Sequence, residues 1–245
     1  MAFYDSIASW YDYIFPAAPA QVEFIEKRMG HLSNCKVADV GCGTGNLSIQ
    51  LAQKGANVTG LDLDSEMLRL ARHKSNATEN PDFICADMLQ LSGLFKPDSL
   101  DAVVCFGNTL VHLQRPGNVR SFFQQCKTVL KPGGRLLFQI INYDYVLDEG
   151  IMGLPSIDNE HICFERAYEL REQDELINFK TKLTVKDSNK VIKNVTTLQP
   201  LRKDLLMQIL ADTGYGERHL FGSFMQTPLQ PTSIALVAEV IPDAT

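Results

Sequence analysis

The run Val37-Ala38-Asp39-Val40-Gly41-Cys42-Gly43-Thr44-Gly45 constrains the fold more than any other segment of the chain. A short apolar stretch ends in three alternating glycines and passes straight into helix-like sequence. Such glycines let the backbone turn sharply at the end of a buried strand and approach a ligand more closely than a Cβ would allow. A second segment, Asn57-Val58-Thr59-Gly60-Leu61-Asp62-Leu63-Asp64, reads as a strand closed by an acid. Asp62 stands where a doubly wound sheet presents a carboxylate to a ribose diol. A third strand, Phe83–Ala86, precedes Asp87, and a fourth, Leu100–Cys105, precedes Phe106-Gly107-Asn108. Consecutive strands therefore end in polar residues on one rim.

Two other nucleotide motifs fit poorly. A dinucleotide fingerprint needs glycine at position 46, where this chain has Asn46, and no Gly-Lys-Ser or Gly-Lys-Thr follows the loop to cradle phosphates. Before the first strand, Val22, Ile25 and Met29 repeat at helical spacing. Val119, Phe122, Phe123, Cys126, Val129 and Leu130 mark a stronger helix, stopped by Lys131-Pro132-Gly133-Gly134. Arg135–Ile141 is a fifth strand. The period then changes. Ile177, Phe179, Thr181, Leu183 and Val185 alternate with polar residues, Asp187-Ser188-Asn189-Lys190 supplies a turn, and Val191–Val195 returns. This is an antiparallel hairpin with one apolar face, to which Ile162–Leu170 adds a strand. A helix carrying Leu201, Leu205, Leu206, Ile209 and Leu210 and strands near 217–224 and 233–240 complete the pattern. The expected fold is α/β: a Rossmann-like, doubly wound, mostly parallel seven-stranded sheet with an antiparallel β insertion after strand five. One domain is expected, with an N-terminal cap over 1–36, a core over 37–142, the insertion over 145–199 and closing elements over 200–245.

Composition narrows the function. At 245 residues and 45% hydrophobic content the chain can bury a full core. A net charge of −6 without a basic run offers no footprint for nucleic acid, so a small substrate is expected. Six cysteines without close pairing read as reduced thiols, and five scattered histidines give no metal site. No apolar stretch approaches the roughly 20 residues needed to span a bilayer. The first residues lack a basic region followed by an apolar one, so no signal peptide and a cytoplasmic location are expected.

DVGCGTG, GLDLD, CADM, LDAVVCFGN and LKPGGRLLFQI, in that order from residue 39 to 140, resemble the motif series of class I S-adenosylmethionine-dependent methyltransferases. The resemblance implies S-adenosylmethionine as cofactor, with Gly41, Gly43 and Gly45 beside its methionine part, Asp62 on the ribose hydroxyls, and Asp87 with Met88 at adenine. Leu63 and Met67 could sandwich the base. Tyr11, with Tyr4, could close over the cofactor carboxylate or donor sulfur, and Asp39, Cys42 and Phe106 complete the expected cofactor set.

The segments Phe106–Leu113 and Ile141–Leu147 are further similar to the glycine and sarcosine N-methyltransferase branch, whereas Tyr4–Asp12 resembles a broad group of bacterial small-molecule methyltransferases. The first likeness implies that Asn142 hydrogen-bonds the methyl acceptor and that Arg166 or Arg171 holds its carboxylate; Asn108 and Tyr145 join this substrate set. Transfer to nitrogen is expected, by in-line displacement in a dry pocket that needs placement more than a strong catalytic group. A base matters only for a protonated or hydroxyl acceptor, and His112 is its candidate. A hydroxyl or carboxyl acceptor, or a regulatory protein that binds the cofactor without turnover, are the alternatives. The apolar face of the insertion must cover the rim, a second copy in a homodimer, or its own packing. Because the insertion leaves at the carboxyl end of strand five, a lid or substrate wall is the favoured role.

Overall fold

The computed structural model describes residues 2–76, 80–171 and 173–243. The strands are β1 (Lys36–Val40), β2 (Asn57–Asp62), β3 (Asp82–Cys85), β4 (Leu100–Cys105), β5 (Leu130–Ile141), β6 (Gly153–Asp158), β7 (Ile162–Leu170), β8 (Ile177–Val185), β9 (Lys190–Leu198), β10 (Glu217–Phe221) and β11 (Ala235–Ile241). The helices are α1 (Ala2–Asp5), α2 (Tyr11–Ile14), α3 (Pro19–Met29), α4 (Asn46–Gln53), α5 (Ser65–Lys74), α6 (Leu91–Leu94), α7 (Pro116–Val129), α8 (Tyr143–Asp148) and α9 (Lys203–Asp212).

Seven strands form one sheet in the order β10-β11-β5-β4-β1-β2-β3, parallel from β5 to β3 and closed by antiparallel β11 and β10. Side chains alternate across the pleat. Leu136, Phe138 and Ile140 of β5 therefore join Phe122, Phe123 and Cys126 of α7 in one core layer. Val37, Val104 and Leu137 join Phe24 and Ile25 of α3 and Leu51 of α4 in the other. The chain runs from β1 outward to β3, then returns to place β4 on the other side of β1. Strand order thus reverses between β1 and β4, and a crevice opens beyond their carboxyl ends.

The insertion is a separate four-stranded antiparallel sheet, β6-β7-β8-β9. Ile177, Thr181, Leu183 and Val185 are buried on one face, while Lys180, Lys182 and Lys186 pair with Glu169, Glu165 and Asp158. One end of the buried face packs Tyr168, Ile177 and Leu198 into the main core; the other packs Ile162, Phe164 and Leu183 against Ile7 and Ile14 of the N-terminal segment. Two elements depart from the sequence expectation. Residues 143–148 form the short helix α8, and Gly153–Asp158 form an additional edge strand whose register shifts between Leu154 and Ile157.

Candidate active site

The glycine loop is a close-packed turn. Gly41 has φ 73°, and a Cβ on it would collide with the Thr109 side chain from the loop after β4. Gly45, φ 78°, caps α4, and a Cβ there would lie 2.7 Å from Cζ of Phe83. The loop is held down by Gly41 N–H and Cys42 N–H, which donate to Leu61 O at 2.7 and 3.0 Å. The Asp62 carboxylate is fixed from both sides. Gly43 N–H donates to Oδ2 and Asp64 N–H to Oδ1, each at 2.9 Å. Burial raises the Asp62 pKa, and these backbone donors oppose the rise. Each oxygen keeps a lone pair for a ligand hydroxyl. Asp64 Oδ1 caps α5, accepting from Glu66 N–H and Met67 N–H.

A cleft of about 710 Å³, counting space open to solvent, lies over this turn. Asp62 supplies its carboxylate, and Leu61, Leu63, Met67, Ala86 and Met88 form an apolar slot, with no lysine or arginine in the lining. Asp87 lies between the last two slot residues, where Oδ1 accepts from Leu89 N–H at 2.9 Å. A second chamber, about 1480 Å³ by the same measure, runs from the glycine loop to the insertion sheet. Its floor holds Asp39, Cys42, Phe106, Asn108 and Gln139; Leu154, Arg166, Tyr168, Phe179 and Leu198 form its wall. Gly41 and Gly107 border both spaces from below, and Tyr4, Tyr11 and His112 border both from above. The Tyr4 hydroxyl and His112 Nε2 are hydrogen-bonded at 2.9 Å.

The roof carrying Tyr4 and Tyr11 is tied down by charge. Thr44 Oγ1 and Asn46 Nδ2 donate to Oδ1 of Asp12 at 2.5 and 3.0 Å, and Lys74 Nζ donates to its Oδ2 at 2.6 Å. Asp39 is buried and accepts from Ser48 Oγ at 2.6 Å; burial pushes its pKa up to about 6. Burial pulls His112 down to about 4, so it is neutral at pH 7.

Residues 37–134 match a family model described as a methyltransferase domain. A Geobacillus protein bearing a provisional methyltransferase name is 34% identical over 60% of the chain and 62% of its own length. A ubiquinone biosynthesis O-methyltransferase of Idiomarina loihiensis is 34% identical over 62% of the chain and 64% of its own length. The chain thus spans less than two thirds of the length of these relatives. The fold is that of an S-adenosylmethionine-dependent methyltransferase from Clostridium acetobutylicum, at TM-score 0.80 and 19% identity over 98% of this chain and 99% of that one.

Around the two spaces, three expected substrate residues are placed elsewhere. Asn142 is buried, and its Nδ2 donates to Pro231 O and Ser233 O at 3.2 and 2.9 Å, so its amide hydrogens fasten the loop before β11. Tyr145, on α8, lines neither space; Tyr143, two residues earlier, receives the bond from Asn108 Nδ2 at 3.1 Å. Arg171 lies in the turn beyond β7, pairs with Asp174 at 2.8 Å and lines neither space. Asn108 does line the larger chamber, with both ends of its amide engaged, since Oδ1 accepts from Ile141 N–H at 2.9 Å. Thr109 and Gln139, which line the spaces, were not expected at the site. Thr109 had a signal, because a glycine that admits no side chain implies a neighbour pressed against it.

Proposed function

We propose that this chain is an S-adenosylmethionine-dependent methyltransferase that alkylates a small acceptor at nitrogen. One observation carries the reading: the carboxylate-bearing cleft at the strand reversal meets a larger, mostly apolar chamber at the shared residues Tyr4, Tyr11 and His112. A neutral purine needs an apolar slot, a ribose diol needs a fixed carboxylate, and neither needs a cation; the smaller cleft offers that donor set. Asp62 would hold the diol, and Leu63, Met67 and Met88 the base. Bound there, the cofactor supplies a methyl group on a sulfonium.

What the chain contributes is placement. Tyr4, Tyr11 and the insertion sheet exclude water, and a neutral amine with a free lone pair needs no strong base in such a site. Among the described residues, Arg166 is the one cation lining the larger chamber, and it suits an anionic group on the acceptor. Its Nε has no partner among the described residues. Nitrogen is favoured because the likenesses that extend over the insertion include an amino pentose methyltransferase of Micromonospora echinaspora, TM-score 0.68 over 94% of the chain. The ubiquinone O-methyltransferase likeness covers 62% of the chain. The apolar face of the insertion is taken up by the N-terminal segment and the chamber, so we assign it as a wall rather than a homodimer surface.

Calorimetric titration with S-adenosylmethionine and its demethylated by-product tests the binding claim, with Asp62→Ala expected to weaken both by about tenfold or more. A transfer screen over amines, amino acids, amino sugars, phenols and carboxylates tests turnover. Tight binding with no methylated product across the screen would favour the regulatory alternative.

A further inference from the structure

On β5, Gln139 is 9% exposed and lies on the same sheet face as Leu137, opposite the α7 layer. Its side chain reaches the floor of the larger chamber. The orientation of its amide is settled by chemistry. Gly107 N–H lies 3.0 Å from Oε1, and a backbone N–H can only donate, so the oxygen faces Gly107 and the –NH₂ faces away. That nitrogen has no hydrogen-bond partner among the described residues and is open to the chamber, where a ligand acceptor can reach it. Arg166 on the chamber wall keeps an unpaired Nε, whereas several other polar groups there are committed. Asn108 is bonded at both ends, Asn46 is held by Lys74 and Asp12, and Asp39 can only accept.

We infer that Gln139 is a ligand-binding residue whose side-chain –NH₂ donates to a carboxylate oxygen placed in the larger chamber. The inference rests on the methyltransferase reading, which offers two sources for that oxygen: the amino-acid tail of the cofactor and a carboxylate on the methyl acceptor. Gly107 borders the smaller cleft as well, so the same bond that orients Gln139 links the chamber floor to the loop beneath the cofactor. Gln139 is a positioning group for whichever ligand brings the carboxylate.

Gln139→Glu keeps the oxygen that Gly107 needs and replaces the donor with an acceptor; Gln139→Met removes both. Thermal melting of the two variants first establishes that they fold. Calorimetry at pH 8.5 then compares S-adenosylhomocysteine with 5′-methylthioadenosine, which lacks the amino-acid tail. A loss of about tenfold in both variants for the former, with the latter unchanged, assigns the bond to the cofactor tail. Unchanged S-adenosylhomocysteine affinity, with benzoate binding to the saturated complex seen by saturation-transfer NMR in the parent and lost in both variants, assigns it to the acceptor. Unchanged S-adenosylhomocysteine affinity without Gln139-dependent benzoate binding overturns the inference. Failure of the parent protein to bind either nucleoside is a different result, and it removes the nucleoside reading itself.

Discussion

The Tyr4 hydroxyl sits 2.9 Å from Nε2 of His112, and this bond joins the N-terminal roof to the rim loop after β4 where the two ligand spaces meet. Burial holds His112 near pKa 4, below the ordinary 6.5. The unfolded chain therefore takes up this proton more readily than the folded one. The stability contributed by neutral His112 is full above pH 6.5 and is lost as pH falls toward 4, by about 3 kcal/mol. Urea unfolding of the parent and His112→Gln across that window checks this. The variant should show the shallower acid limb, and equal slopes would refute the assignment.

Asp39 has the opposite sign. Its folded pKa of about 6 lies above the ordinary 3.8, so the folded protein holds this proton more tightly and ionisation costs stability as pH rises through that interval. Asp39→Asn should therefore compare better with the parent at pH 7.5 than at pH 4.5, by about 1–2 kcal/mol. Paired melting curves at the two pH values measure the difference. A variant penalised equally at both would mean that the carboxylate is not desolvated.

Gly41→Ala should destabilise the protein by more than about 2 kcal/mol, because both the backbone angle and Thr109 oppose a methyl group there. Adding Thr109→Ala should recover part of this loss and leave the conformational share. Denaturant midpoints of the single and double variants separate the two contributions, and full recovery would show that the backbone carries no strain.

Asp12→Asn should barely change stability, since an exposed ion pair such as Asp12 with Lys74 contributes about 0–1 kcal/mol. It should instead speed release of S-adenosylhomocysteine several-fold. High salt should accelerate release from the parent more than from the variant, because mobile ions screen the pair. Stopped-flow displacement reads both effects, and an unchanged release rate would show that the roof is held by its aromatic packing.

The main sheet was legible because its signals are local. Glycine turns, an acid ending β2 and the proline-glycine stop after α7 each declare a boundary without help from distant residues. The hairpin of β8 and β9 was equally plain, since one wet face forces strict alternation. α8 and β6 were not. Asn142 makes no side-chain cap for α8, and β6 contains Pro155 on an edge, where a lost donor is tolerated.

The cofactor side of the site was more readable than the acceptor side for a related reason. Asp62 is oriented by Gly43 of the glycine loop and by Asp64, two residues on, both inside the quoted motifs, so motif position and side-chain direction go together. Asn142, Tyr145 and Arg171 were placed by likeness of chain position alone. Their directions depend on residues 231–233, on α8 packing and on Asp174, which no motif specifies. Gln139 escaped notice because a polar residue in a buried strand is meaningful only once its partner, Gly107, is known.

β11 lies between β5 and β10, and its neighbouring loop residue Ile234 accepts the Asn142 N–H at 2.9 Å. During synthesis, the nascent chain therefore presents β5 with a bare edge until residue 241 has cleared the ribosome. Everything needed for the nucleoside cleft is translated before the strand that seals this edge. The half-made protein should thus depend on holding chaperones at β5, and slowing elongation through β10 and β11 should expose that dependence as aggregation.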